Sequence, residues 1–351
     1  MDKEIKNESV TIYDIAREAE VSPATVSRIL TGSAGVASEK RERVQRLIKK
    51  YNYVPNAFAQ GLNKKESKTI GLLMPDVRNP FYSSLYVGIE TAAVKYGYNV
   101  ILCNALNDDN IERQHMDTLI SKSVDVIILS GGLSDNLQCS GEQLEQLKRA
   151  AEKTLIIVAG QMDYFECSTI NIDDRPGMEA LLGYLIGLGH REICLVGGTS
   201  TKLPTYSKQK IFKEILERNN LPMKENTIIE TPRYGIDDGY YTGKKLFAEK
   251  NFPTAVIGIN ESVALGIMRA AFKMGLEIPR DISIAGFDNT YLSEISTPSL
   301  TSAGCCYEDY GEILMNQIVR MKTSETKIKK VTIPNSLTIR KSCGESARNA
   351  G

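Results

Sequence analysis

The chain has 351 residues, 42% hydrophobic and 25% charged, and its 43 basic and 43 acidic side chains balance to a formal charge of zero. That length exceeds one ordinary core and suits two or three domains of a soluble protein. The overall balance excludes a whole-chain pull toward a polyanion, and no apolar run approaches the roughly 18 residues of a membrane span.

The charge is unevenly spread. Residues 11 to 65 hold ten Lys/Arg against five acids, a small basic module on a mildly acidic body, as phosphate binding asks of a soluble protein. The opening MDKEIKNESV has no apolar stretch of the signal-peptide kind, so a cytoplasmic protein is expected. Seven scattered cysteines without a CxxC pair fit reduced thiols rather than a disulfide frame or a zinc site.

In chain order, Thr11 is placed to cap a short helix with Asp14 at its third position, and Ile12, Ile15, Ala16 and Ala19 form the apolar face. Ser22 then caps a second helix with Pro23 at the favoured first position and a buried stripe of Val26, Ile29 and Leu30. A third helix, from about Ser38 to Tyr51, turns Val44, Leu47, Ile48 and Tyr51 inward. Three short helices with a tight first turn describe a helix-turn-helix whose second helix exposes Pro23, Ala24, Thr25, Ser27 and Arg28. The hydroxyls suit phosphate oxygens, and the Arg28 fork suits guanine O6 and N7 in the major groove. A capped surface helix with a solvated arginine is the plainer reading of the same residues.

The next stretch, YNYVPNAFAQGLNKKES, breaks at Pro55, and Asn56 can cap a segment ending near Asn63. Eight residues with Gly61 among them cannot hold a helix alone in water. A helix that forms only on DNA, wedging Leu62 between base pairs in the minor groove, fits that weakness.

From residue 69 to 297, short apolar runs (TIGLLM, NVILC, DVIIL, TLIIVAG, EICLVGG, TAVIGI, DISIAGF) recur about 25 to 60 residues apart, as parallel strands with helical crossovers require. Two similar α/β lobes result. An enzyme is not expected. The only histidines, His115 and His190, have no metal-ligand spacing, and no nucleophile elbow, phosphate loop or dinucleotide fingerprint appears.

TIYDIAREAEVSPATVSRIL, YVPNAFAQGL, GHREICLVGG and ISIAGFDNT together resemble the lactose-repressor (LacI/GalR) family of bacterial transcription regulators over nearly the whole chain. The resemblance implies an all-α helix-turn-helix headpiece (1–54), a hinge helix and linker (55–68), and a two-lobed, periplasmic-binding-protein-like α/β core (69–351). It places the N-lobe at about 69–160 and 291–325 and the C-lobe at about 161–290 and 326–345. The chain then crosses between lobes near 160, 290 and 325.

It further implies that Tyr13 and residues 22 to 28 (Ser22, Pro23, Ala24, Thr25, Ser27 and Arg28 among them) meet operator DNA. Tyr53 and Asn56 lie near phosphates, and Ala59 and Leu62 belong to the hinge. In the inter-lobe cleft, Phe81 stacks on an effector, Asn260 and Asp288 contact it, and Lys208 and Glu261 stand where relatives carry arginine and aspartate. Glu20 replaces the usual turn glycine, which costs on the order of 1 kcal/mol if its left-handed conformation is retained. With Lys208, Glu261 and Asp288 in the cleft, its charge is −1, and neutral or amino sugars fit better than phosphorylated ones. The expected protein is a homodimeric repressor on a near-palindromic operator, without cofactor, metal or membrane, governed by a sugar-like effector or a protein corepressor. A plain solute-binding module is the alternative.

Overall fold

The computed structural model describes residues 10–30, 35–53, 66–323 and 328–346. The chain divides into two compact units at Ser67/Lys68.

In the first unit, α1 (Ile12–Glu18), α2 (Pro23–Leu30) and α3 (Ser38–Lys50) surround one small core of Ile15, Ala16, Ala19, Val26, Ile29 and Val44. The expected capping box is present. The Asp14 amide donates to the Thr11 hydroxyl at 3.3 Å, and the Thr11 amide donates to the Asp14 carboxylate at 3.0 Å, so two otherwise orphaned amides are satisfied. Glu20 turns the chain at φ 54°, keeping the left-handed geometry that favours glycine. Tyr51 departs from expectation. The helix stops at Lys50 and Asn52 turns at φ 46°, which carries Tyr53 back against the core, while the Tyr51 hydroxyl donates to Glu18 at 2.6 Å.

The second unit is two six-stranded sheets flanked by helices. The first lobe contains β1 (Thr69–Met74), α4 (Pro80–Lys95), β2 (Asn99–Asn104), α5 (Asp109–Ser121), β3 (Val126–Leu129), a 3-10 turn (Gly132–Asp135), α6 (Gly141–Ala151), β4 (Leu155–Val158) and β5 (Ser168–Asp173). The second holds α7 (Asp174–Gly187), β6 (Ile193–Val196), α8 (Leu203–Arg218), β7 (Ile228–Ile229), α9 (Ile236–Ala248), β8 (Ala255–Gly258), α10 (Glu261–Lys273), β9 (Ser283–Phe287), α11 (Tyr291–Ile295) and β10 (Thr301–Gly304). The chain returns to the first lobe with α12 (Tyr307–Thr323) and β11 (Lys330–Pro334), then ends in the second with β12 (Ser336–Thr338).

Strand order is β11-β5-β4-β3-β1-β2 in the N-lobe, all parallel, and β12-β10-β9-β8-β6-β7 in the C-lobe, where only β12 runs antiparallel. The strands buried on both faces, such as VIIL of β3 and AVIG of β8, are the continuous apolar runs that a parallel sheet requires. The crossings are displaced from those expected near 160, 290 and 325. They fall after Asp173, at Cys305-Cys306 and at Asn335, because β5 and β11 complete the N-lobe sheet and β10 completes the C-lobe sheet. Polar strands such as STINID and TSAG are held by sheet neighbours rather than by an apolar pattern of their own.

Candidate DNA-reading face and inter-lobe cleft

In the headpiece, Val26 and Ile29 lock α2 into the core and leave Ala24 and Arg28 exposed. Tyr13, on α1, is 70% exposed, so its ring stands at the surface of the unit. Ser22 accepts the Thr25 amide at 3.2 Å, and the two hydroxyls lie 2.9 Å apart, so these side chains hold the start of α2 and stand at its N-terminal end together. That end carries the helix's partial positive charge, where phosphate is favoured. Pro23, Thr25 and Ser27 are half-buried, and so is Tyr53, whose ring packs on the core. Asn56, Ala59 and Leu62 lie outside the described residues.

Across the core, the groups that face one another come from loops at the carboxyl ends of parallel strands, where open α/β sheets gather ligand contacts. From the C-lobe, Lys202 reaches over to the N-lobe turn, its Nζ donating to Asn136 Oδ1 at 2.6 Å and to the Gly132 carbonyl at 3.1 Å. Beside it, burial pushes the Asp135 carboxyl up to about 6 against the opposing pull of Lys202 and Lys208. Asp288, following β9 at φ 101°, is pushed up to about 8 by burial, with Lys208 pulling it down and Glu261 and Asp174 adding to the rise. Burial also works against the charge on Lys208, yet Asp174 and Asp288 hold its pKa above the ordinary value. Lys208 Nζ lies 2.6 Å from Asp174 Oδ2 and 5.4 Å from the centre of the Phe287 ring. The buried Tyr82 hydroxyl is raised by desolvation and by the charges of Asp135, Tyr234 and Asp288 around it.

Three of the expected cleft residues have other duties. Phe81 is half-buried against the N-lobe core, edge-on to Tyr82 and Tyr307 with centroids 5.1 and 6.0 Å away. Asn260 caps α10, accepting the Val263 amide at 2.9 Å while its Nδ2 donates to the Tyr234 carbonyl at 3.1 Å; it holds the cleft wall in place. Glu261 does not line the cleft. It is 2% exposed, and its carboxylate accepts the Thr290 amide at 3.0 and 3.1 Å and the Thr290 hydroxyl, because α10 drives it inward under the loop after β9. The cleft therefore presents Asp135, Asp174 and Asp288 against Lys202 and Lys208, a different set than the sequence suggested; because burial keeps Asp288 protonated at neutral pH, two carboxylates balance the two lysines and the expected charge of −1 is not retained.

Asp135, Asp174, Lys202, Tyr82 and Tyr234 escaped the sequence reading. The strand-end rule pointed to the SGGLSDN loop after β3, and recognition of β5 would have pointed to Asp174. His190 carries no chemistry. Its ring is buried between Thr254 and Ser283, both at 2.9 Å, and burial lowers its pKa. A separate concavity of about 620 Å³ lies on the C-lobe between Tyr206, Met223 and Ile228, where the buried Gln209 donates to the exposed Glu230 at 3.2 Å.

A helix-turn-helix headpiece joined to a two-lobed core with a polar inter-lobe cleft is the architecture of a DNA-binding transcription regulator. Residues 11–56 match the bacterial regulatory proteins of the lacI family, and residues 182–343 match a periplasmic binding protein-like domain. The chain is 34% identical over 337 residues to catabolite control protein A of Priestia megaterium, covering 95% of this chain and 99% of that one. Its fold superposes on a lac repressor dimer bound to operator and the anti-inducer ONPF with a TM-score of 0.83 at 24% identity, covering 96% of this chain and 100% of that one. It also superposes on a LacI family regulator of Enterococcus faecium with bound ribose, with a TM-score of 0.68 at 26% identity, covering 79% and 98%. The chain belongs to the LacI family of bacterial transcription regulators.

Proposed function

We propose that the protein is a cytoplasmic repressor that binds a near-palindromic operator as a homodimer and responds to a small sugar-like effector in the inter-lobe cleft. The observation that carries the DNA half is α2, which buries Val26 and Ile29 and leaves Arg28 outward at the surface of a three-helix unit. One such helix reads only a half-site, so two-fold pairing supplies useful affinity. Tyr13, Ser22, Pro23, Ala24, Thr25, Ser27 and Tyr53 complete the proposed contact set, with Asn56, Ala59 and Leu62 contributed by the hinge.

Genome-wide footprinting identifies the operator, and Arg28→Ala then tests the reading. Affinity should fall by about 1 to 3 kcal/mol, with preference relaxed at one base pair per half-site. Uniform weakening across all operator variants would instead make Arg28 a phosphate contact.

For the effector, a cleft whose two lysines are already matched by Asp135 and Asp174, with a protonated Asp288 beside them, favours neutral sugars over phosphorylated ones. A thermal-shift comparison of glucose, glucosamine and glucose 6-phosphate at equal excess should rank the phosphate last. A phosphate ranked first refutes the charge argument. No response to any sugar points to control by a protein corepressor.

A further inference from the structure

We infer that Asp174 is a positioning residue that ties the cleft to the hinge between the lobes, so that what happens at Lys208 is felt at the third chain crossing. Asp174 is the first residue after the first crossing, and its two oxygens serve two different elements. Oδ2 holds Lys208 Nζ at 2.6 Å, with both side chains mostly buried at 12% and 15% exposure. Oδ1 accepts Asn335 Nδ2 at 3.1 Å, and Asn335 is the single residue that joins β11 of one lobe to β12 of the other. The backbone repeats the tie, the Asn335 amide donating to the Asp173 carbonyl at 3.3 Å.

The fit around this junction is close. A Cβ on Gly177, one turn into α7, would come within 2.7 Å of Asn335 Oδ1 and 3.1 Å of the Ala303 Cβ, so the first and third crossings and the last C-lobe strand before the second are packed without slack. Asn335 Oδ1 is buried without a hydrogen-bond partner, so this side chain is held through its Nδ2 alone. A carboxylate divided between an ammonium on the cleft wall and an amide on the hinge cannot change its hold on one without changing the other. When Lys208 is withdrawn, an unpaired carboxylate in a mostly buried place swings toward water and loosens Asn335. An effector oxygen that competes for Lys208 does the same in part, a consequence that rests on the reading of the cleft as the effector site.

The test needs no effector, so it stands or falls apart from that reading. Amide exchange is followed by mass spectrometry on the full chain for the wild type, Lys208→Met, Lys208→Arg and Asp174→Asn. Exchange at Asn335 should rise about threefold or more in Lys208→Met relative to β8, whose amides report global stability. Lys208→Arg, which keeps the charge, should restore protection. Adding Lys208→Met to Asp174→Asn should change nothing further, because the link is already cut. Unchanged exchange at Asn335 in a folded Lys208→Met protein overturns the inference, as does an equal rise in the Asp174→Asn background. Lys208→Gln serves the same comparison if the Met variant does not fold.

Discussion

Replacing Asp288 by Asn should make the core more resistant to rising pH. Burial moves this carboxyl from 3.8 to about 8, so the folded cleft prefers it neutral. In the unfolded chain it ionises near its ordinary value. Between about pH 4 and 8 the folded protein therefore keeps a proton that the unfolded chain has lost, and its stability declines as pH rises until the folded group itself ionises near 8. A displacement of about four pH units corresponds to roughly 5 kcal/mol as a ceiling. Asp288 keeps some accessible surface and Lys208 can follow it, so about 2 kcal/mol is the expected share. Asparagine has no proton to lose and tolerates φ 101° at least as well as aspartate. The chain has no tryptophan, so urea unfolding is followed by circular dichroism at a series of pH values. The Asn variant should gain on the wild type from pH 5 to 9, while Asp135 and Glu112, pushed up to about 6 and about 7, contribute to both proteins and cancel. Parallel stability curves across that range would refute the reasoning.

Glu20→Gly should raise the midpoint of headpiece unfolding by the equivalent of about 1 kcal/mol, since the glycine adopts φ 54° without Cβ strain. A lowered midpoint would mean that the exposed 3.3 Å pair between Glu20 and Arg43 matters more than the turn. Lys202→Met removes both bonds that the C-lobe lysine makes to the N-lobe turn, and small-angle scattering of the unliganded protein should report a larger radius of gyration. An unchanged scattering curve would show that the lobes are held elsewhere.

Much of the fold was legible because it is written in local physics. The Thr11 to Asp14 box, Pro23 at the first position of α2 and the apolar runs of β1, β3 and β8 each carry their signal within a few residues. What failed to show depends on distant neighbours. STINID, TSAG and SLT become strands only because another strand is present to pair with, and missing them displaced all three crossings. The same holds for the cleft. Glu261 reads as a ligand contact until Thr290, 29 residues on, takes its carboxylate, and nothing near Lys208 in sequence announces Asp174.

The last two strands of the chain each finish a different sheet: β11 lies beside β5, and β12 beside β10. A nascent chain that has left the ribosome only as far as Thr323 has two nearly assembled lobes, each with an open edge that offers unpaired amides and carbonyls to any extended segment nearby. A stop before residue 330 should therefore make β5 and β10 the edge strands in place of β11 and β12, weakening both lobes at once. A single short stretch, residues 330–338, thereby completes both sheets, so a change there is felt in the two lobes together.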